Sequence, residues 1–242
     1  MWSVELGDGV AVHTEFEINE IIRLLEECYP EPYCALDYHK DYELLFSARL
    51  AAQCTDARVN TITPVLFKRF PTLEALANAN VSEVEGIIHP CGFFRTKARD
   101  IVAAAGMLLM DFGGRVPDTM EELLRLPGVG RKTANLMLGD IHNKPAVVVD
   151  THCIRLSNRI GLVDSKDPVK IEMSLWEILP PEKSSDFCHR LVLHGRAVCS
   201  ARSPACGRCC IAEFCNTGDR GQGQPPRPLR GHPSIEGNGR GN

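Results

Sequence analysis

Two residues, Lys132 and Asp150, lie in short motifs that suit nucleophilic chemistry. Lys132 comes two residues after the glycine-rich turn LPGVG at 126–130, and Asp150 ends the apolar run VVV at 147–149. A lysine amine attacks carbon only after it has lost its proton, and a nearby carboxylate takes part in proton transfer and stabilises developing positive charge. We therefore predict a nucleophile at Lys132 and an acidic partner at Asp150. Each residue also has an ordinary interpretation, as a surface charge and as a helix N-cap.

Two helices frame the glycine-rich turn. Asp118 and Glu121 form a start that resembles a capping box, and a second helix begins near Arg131. Apolar side chains at spacings of four and three form one stripe on the second helix, which places Lys132 away from the core. The N–H groups that open this helix suit an anion such as a phosphate, and the glycines allow close backbone approach. The same turn also fits a plain connection between helices.

Four of the eleven cysteines are clustered in the pattern C-x6-C-x2-C-x5-C, at Cys199, Cys206, Cys209 and Cys215. Four thiolates in one loop suit either a tetrahedral zinc ion or a [4Fe–4S] cluster, and chemistry alone leaves both open. The other cysteines are predicted to be small buried apolar residues, and Cys210 to be a bystander of the cluster. These scattered cysteines are Cys28, Cys34, Cys54, Cys91, Cys153, Cys188 and Cys210.

The elements around these motifs predict an all-α fold. From residue 18 to about 215, apolar residues recur at helical spacing between Pro and Gly breaks, and the extended run 146–149 is too short for a sheet. No apolar run approaches a membrane span and no secretion signal is present, so we expect a cytoplasmic protein. Residues 216–242 hold seven Gly, four Pro and four Arg, which predicts a disordered tail.

The charge distribution leaves room for a nucleic-acid partner. The net charge of -4 argues against one, because phosphate binding usually leaves a basic surface. However, residues 1–56 contain 12 acidic and 3 basic residues, so the remainder of the chain carries a net charge of +5. A basic DNA-binding face is therefore possible in the remainder, although such an excess is also typical of a solvated surface.

The segment LPGVGRKTANLML, followed by VVVDTH, resembles the helix-hairpin-helix and Gly/Pro…Asp signature of the endonuclease III superfamily. The resemblance covers about residues 16–215. It implies two helical lobes that flank a DNA-binding cleft, with a six-helix barrel at 34–144 that carries the hairpin. It also implies a second domain, formed by 13–33 and 145–215, that holds a [4Fe–4S] cluster on the four clustered cysteines.

The resemblance also implies a reaction and its site. A lysine at the position of Lys132 is typical of a bifunctional glycosylase and AP lyase, which forms a Schiff base at C1′ and then cuts the strand by β-elimination. Substrates would be oxidised pyrimidines and abasic sites in double-stranded DNA, bound by a monomer that is nucleoid-associated in a prokaryote. Residues implied to contact DNA are Gln53, Phe93, Gly128, Val129, Gly130, Arg131, Thr133 and His152.

Several positions depart from the family pattern. Phe93 stands where an aliphatic wedge is more common, Cys54 replaces an alanine, and 139–141 (GDI) is unusual after the hairpin. The adenine-mismatch branch, with serine and glutamate at the positions of Lys132 and Ala48, is disfavoured. Two alternatives stay open: a monofunctional glycosylase for another lesion, and a non-catalytic helix-hairpin-helix DNA-binding protein.

Overall fold

The computed structural model describes residues 13–217, and within this range the chain is helical without any strand, as the sequence predicts. Short 3-10 turns at His89–Cys91, Pro181–Lys183, Cys206–Arg208 and Ala212–Phe214 complete the secondary structure. The eleven α-helices in the described range are α1 (Glu15–Cys28), α2 (Asp41–Leu50), α3 (Asp56–Arg69), α4 (Leu73–Ala77), α5 (Val81–Ile88), α6 (Phe94–Phe112), α7 (Met120–Arg125), α8 (Arg131–Asp140), α9 (Thr151–Ile160), α10 (Pro168–Ile178) and α11 (Ser184–Ala197).

The described residues divide into two compact units. Cys34–Lys144 forms one unit, which holds α2 to α8 and therefore the whole helix-turn-helix segment around Lys132. The other unit combines residues 13–33 with 145–217, and it holds α1, α9, α10 and α11. Asp150 and the four clustered cysteines belong to this second unit.

Several helix starts are fixed by side-chain caps. Thr14 caps α1 and forms a full capping box with Glu17. The predicted start of α7 is wrong by one residue, because Thr119 rather than Asp118 accepts the bond from Glu122 N. The carboxylate of Asp118 is instead paired with Lys144 at 2.7 Å, which leaves the capping position to the next residue.

The core of the Cys34–Lys144 unit forms where α6 packs against α4 and α5. α6 is the longest helix described, with 19 residues, and Ala98, Ile101, Ala105 and Leu108 are buried on its inner face. These positions recur at helical spacing, so one apolar stripe drives the packing. The same helix begins directly after Phe93, and thus positions that residue at the edge of the core.

In the other unit, α9 packs against α11. The approach is close because Gly195 of α11 has no side chain: a Cβ there would lie 2.5 Å from His152 Nδ1. The apolar run at 146–149 is buried and leads into α9 without forming a sheet. Consequently the end of this run places Asp150 at the start of α9.

The folded region extends slightly past the predicted boundary at Cys215. Asn216 N and Thr217 N donate to the carbonyls of Ile160 and Arg159, at 3.1 and 3.2 Å. These two residues, predicted from composition to belong to the tail, therefore cap the C-terminal end of α9. The rest of the predicted tail, 218–242, lies outside the described residues. None of the helices between 13 and 217 combines the length and apolar content of a membrane span.

Candidate active site and metal centre

The glycine-rich turn between α7 and α8 rests on an ion pair. Gly128 adopts a φ of 76°, and a Cβ at this position would lie 2.5 Å from Arg49 Nε and 2.8 Å from Asp100 Oδ2. Arg49 donates to Asp100 Oδ2 from Nε at 2.8 Å and from Nη2 at 2.7 Å. Only glycine satisfies both the left-handed backbone and the close approach, so the turn lies directly against this pair.

The first turn of α8 presents backbone N–H groups next to an exposed lysine. Gly130 is the N-cap in an extended conformation, and no side chain caps the helix. Arg131 and Lys132 are exposed and Thr133 is half-buried, whereas Ala134 begins the buried stripe. Uncapped N–H groups at a helix start suit a phosphate oxygen. The predicted orientation of Lys132, away from the core, is confirmed.

Two loops bring Gln53 and Phe93 to the same hollow. Both residues adopt left-handed backbone conformations, with φ of 55° and 48°, and Phe93 is 67% exposed. With Arg49, Thr96 and other neighbours they line a cavity of about 210 Å³. The left-handed backbone of Phe93 costs free energy, and an exposed ring gains none from burial, so this conformation does not stabilise the fold. The arrangement favours a side chain that meets a partner.

A buried lysine links these two loops. Lys97 Nζ donates to the carbonyls of Leu50 at 2.9 Å, Ala52 at 2.7 Å and Cys91 at 2.9 Å. The three ammonium protons are thus all used, although burial lowers the pKa of Lys97. Because Ala52 precedes Gln53 and Cys91 lies just before Phe93, this one side chain fixes the spacing of both loops.

Asp150 is the N-cap of α9, as predicted, with Oδ1 accepting a bond from Cys153 N at 2.7 Å. It is half-buried. His152 lies two residues further along, with Nδ1 3.1 Å from Arg155 Nη2 and the ring packed on Gly195. Its position next to Asp150 is therefore set by packing between α9 and α11.

The four clustered cysteines line one hollow of about 100 Å³, together with Arg159 and other residues. No three His, Cys, Asp or Glu side chains between residues 13 and 217 converge as ligands of a single metal ion. Burial raises the pKa of Cys209 to about 12, so without a metal this thiol keeps its proton. Soft thiol donors around a shared hollow fit a cluster, whose positive iron ions would displace the protons.

Polar groups from two helices contact the sulfurs. Arg159 Nη1 donates to Cys199 Sγ at 3.3 Å. His194 Nε2 lies 3.3 Å from Cys209 Sγ. The sulfurs therefore have hydrogen-bond partners besides any metal, as is usual around metal ligands.

Cys210, predicted as a bystander, is turned toward a different cysteine. Its side chain is hydrogen-bonded to that of Cys28, and burial raises its pKa. The hollow of the four clustered cysteines is lined by Cys209 but not by its neighbour. The two adjacent cysteines therefore lie in different surroundings.

Comparison with known proteins places the chain in a family. Residues 46–181 match the family described as HhH-GPD superfamily base excision DNA repair protein. Residues 199–215 match the iron–sulfur binding domain of endonuclease III. Endonuclease III of Synechocystis sp. is 47% identical over 197 residues, which cover 81% of this chain and 90% of that protein. The chain belongs to the endonuclease III family.

Further relatives agree with this assignment. Endonuclease III of Rickettsia felis is 37% identical over 198 residues, covering 82% of this chain and 93% of that protein. The solved structure of a trapped endonuclease III–DNA covalent intermediate, in an estranged-adenine complex, matches with a TM-score of 0.81 at 36% identity. That match covers 86% of this chain and 98% of the solved chain. This endonuclease III family member is accordingly a DNA-binding base excision repair enzyme, a DNA glycosylase with AP lyase activity.

The family also decides between the two metals left open by chemistry. The matched iron–sulfur domain spans 199–215, from the first to the last of the clustered cysteines. The cofactor is therefore a [4Fe–4S] cluster rather than zinc. When bound, such a cluster supplies a rigid covalent link among the segments that carry its ligands.

Several side chains near the site carry no signal in the sequence. Arg159 and His194 belong to none of the motifs, and Arg49 and Lys97 lie in segments that the family resemblance covers without a predicted role. These four side chains contact partners that are 15 to 51 residues away in sequence. A lone charged residue on a helix usually indicates a solvated surface. Only tertiary contacts distinguish these four residues from such a surface.

Proposed function

We propose that the enzyme releases oxidised pyrimidines such as thymine glycol from double-stranded DNA and cleaves abasic sites, with Lys132 as the nucleophile. The observation that carries this proposal is the exposed Lys132 at the uncapped start of α8. An amine at this point reaches the sugar of a nucleotide whose phosphate is bound by the N–H groups of the same helix turn. The binding group and the reacting group thus come from one element.

The reaction follows from the chemistry of an amine. The neutral amine of Lys132 attacks C1′, the C1′–N bond to the damaged base breaks, and the base leaves with the bonding electrons. Loss of a proton from nitrogen and opening of the ring give a Schiff base at C1′. Loss of a proton from C2′ then expels the 3′ phosphate, which cuts the strand. At an abasic site the amine enters the same sequence with loss of water.

We propose that Asp150 stabilises the positive charge that grows on the sugar and takes part in proton transfers. Its Oδ1 accepts a bond from Cys153 N, which holds the carboxylate in one orientation at the start of α9. A carboxylate fixed in this way is ready for charge stabilisation without reorganisation. We assign His152, which is half-buried in the first turn of the same helix, to DNA contact.

We propose that Gln53 and Phe93 fill the space left when the damaged nucleotide leaves the helix. Unstacking a base costs a few kcal/mol, and an aromatic wedge offsets part of the lost stacking. The exposed ring of Phe93 and the exposed amide of Gln53 line one hollow, so one side chain can replace stacking while the other replaces hydrogen bonds. Contacts from the turn, Gly128 to Thr133, bind the backbone.

We propose Cys199, Cys206, Cys209 and Cys215 as the ligands of the [4Fe–4S] cluster. Their shared hollow and the match of the iron–sulfur domain to 199–215 support this set. Iron and sulfide analysis of anaerobically purified protein tests it, since each Cys→Ser variant of a ligand should lose iron. Retention of full iron content in any of the four variants would remove that residue from the set.

Borohydride trapping on duplexes that contain thymine glycol or an abasic site tests the nucleophile. Wild-type protein should give a covalent adduct with both duplexes, and Lys132→Ala with neither. Lys144→Ala is the matched control, because Lys144 is an exposed lysine of the same unit that pairs with Asp118. Equal trapping by the wild type and Lys132→Ala would refute the assignment.

The same assay separates the alternatives. A monofunctional glycosylase for another lesion would release base without a trapped adduct, and a non-catalytic binder would retain the duplex without base release or nicking.

We further propose that one copy acts alone, because a single chain contains both proposed catalytic residues. Light scattering of the protein with and without DNA tests this. Action on the chromosome implies a cytoplasmic, nucleoid-associated enzyme, which fractionation of cells tests.

A further inference from the structure

A chain of three side chains leads from the end of α1 to one of the clustered cysteines. Tyr29 Oη lies 3.0 Å from His194 Nδ1, and His194 Nε2 lies 3.3 Å from Cys209 Sγ. His194 is only 1% exposed and Tyr29 is 9% exposed. The carbonyl of Tyr29 accepts a bond from Arg190 Nε at 3.1 Å, which fixes the tyrosine in place. Both ring nitrogens of a buried histidine are thus engaged.

The direction of the two hydrogen bonds follows from what each group can donate. A cysteine that binds iron is a thiolate and has no proton, so Cys209 can only accept. His194 Nε2 must then carry the proton in that bond. A neutral imidazole has one N–H, so Nδ1 is left as the acceptor, and the hydroxyl of Tyr29 donates to it. Tyr29 therefore favours the tautomer of His194 in which Nε2 carries the proton and donates to Cys209 Sγ.

We propose that Tyr29 and His194 raise the reduction potential of the [4Fe–4S] cluster by supplying an N–H donor to Cys209 Sγ. Hydrogen bonds to cluster sulfurs stabilise the reduced form, because it carries one more negative charge. A hydroxyl that donates to Nδ1 polarises the ring and strengthens the Nε2–H donor. The inference rests on the proposed assignment of Cys209 as a ligand.

The contacts at Cys199 differ from those at Cys209. Cys199 Sγ receives its bond from the guanidinium of Arg159, which is always charged and also donates to the carbonyls of Ser200 and Ala201. Cys209 receives its bond from a ring whose proton position depends on another side chain. The donor strength at Cys209 is consequently open to change by a single hydroxyl.

The test is a redox titration of the intact holoprotein, with the midpoint potential read by electron paramagnetic resonance. Three variants and one control are compared: His194→Leu, His194→Gln, Tyr29→Phe and Tyr33→Phe. Gln keeps an N–H donor near the position of Nε2, whereas Leu removes it. Tyr33 is 46% exposed, so Tyr33→Phe makes the same chemical change close in sequence. Iron content and visible absorbance are measured first, so that only fully loaded protein is compared.

The expected order of potentials follows from the number of donors. His194→Leu should lower the equilibrium constant for one-electron reduction of the cluster about tenfold, which corresponds to a midpoint potential lower by about 59 mV. Tyr29→Phe should lower it in the same direction by a smaller amount. His194→Gln should recover at least half of the loss, and Tyr33→Phe should equal the wild type.

Fully loaded His194→Leu with a potential equal to that of the wild type overturns the inference. If His194→Leu does not hold iron, Tyr29→Phe decides: a lower potential supports the inference and an unchanged potential overturns it. Cys209→Ser separates this outcome from a wrong ligand assignment. Full iron content in Cys209→Ser would refute the ligand and the inference together, whereas loss of iron with unchanged potentials in the other variants refutes only the inference.

Discussion

Replacement of Lys97 by methionine should destabilise the protein and separate the two loops that carry Gln53 and Phe93. The Lys97 ammonium makes three bonds of 2.7 to 2.9 Å to backbone carbonyls and the residue is 1% exposed. Methionine fills a similar volume but donates nothing, so three carbonyls lose their partner. A hydrogen bond from a charged donor contributes about 1.5–3 kcal/mol, and such bonds are not additive.

The removal of the buried charge offsets part of this loss, since burial already disfavours the ammonium and lowers the pKa of Lys97. We therefore expect a loss of about 3–5 kcal/mol in the free energy of unfolding, the range for removing one partner of a buried charged contact. For a chain of this size that corresponds to a lower melting temperature by about 6–20 °C.

Thermal unfolding followed by circular dichroism measures this effect, and binding of a duplex with a non-cleavable abasic-site analogue reports on the loops. Lys144→Met is the matched control, because Lys144 bonds Asp118 with 44% of its side chain exposed. The control should lose less than about 1 kcal/mol. If Lys97→Met melts within 2 °C of Lys144→Met, the three bonds do not stabilise the loops as argued.

Three further substitutions have directions fixed by the contacts. Gly128→Ala should weaken DNA binding at least tenfold, because its Cβ would lie 2.5 Å from Arg49 Nε. Gly86→Ala in α5, where the new Cβ has no atom within 4 Å, should bind normally, and equal binding of the two variants in a filter assay would contradict this. Asp150→Asn should still cap Cys153 N, so its melting temperature should be unchanged, but it should lose most single-turnover activity. Asp150→Ala should also lose about 1 kcal/mol in the free energy of unfolding. An active Asp150→Asn would argue against a need for negative charge at this position. Cys210→Ser should retain the iron that Cys209→Ser loses, since Cys210 pairs with Cys28; loss of iron from Cys210→Ser would point to a fifth ligand.

Three features are readable from the residues alone, namely the all-α fold, the hairpin around Lys132 and the cysteine pattern. Helical spacing and capping depend on residues a few positions apart, so they are readable from one chain. The family signature then assigned a cofactor that four thiolates alone did not decide. Local signals failed at α7, where the choice between Asp118 and Thr119 as cap depended on an ion pair with Lys144, 26 residues away.

The side chains that support the site are identified only by their tertiary contacts. Nothing near Gly128 in sequence indicates that the turn rests on Arg49 and Asp100, and nothing near Cys209 indicates His194 and Tyr29, which lie 165 residues apart. Such contacts depend on how helices pack, and packing is a property of the whole chain rather than of any segment. The residues proposed to react are therefore readable from the sequence, while the side chains that support them are identified only by the packing of the helices.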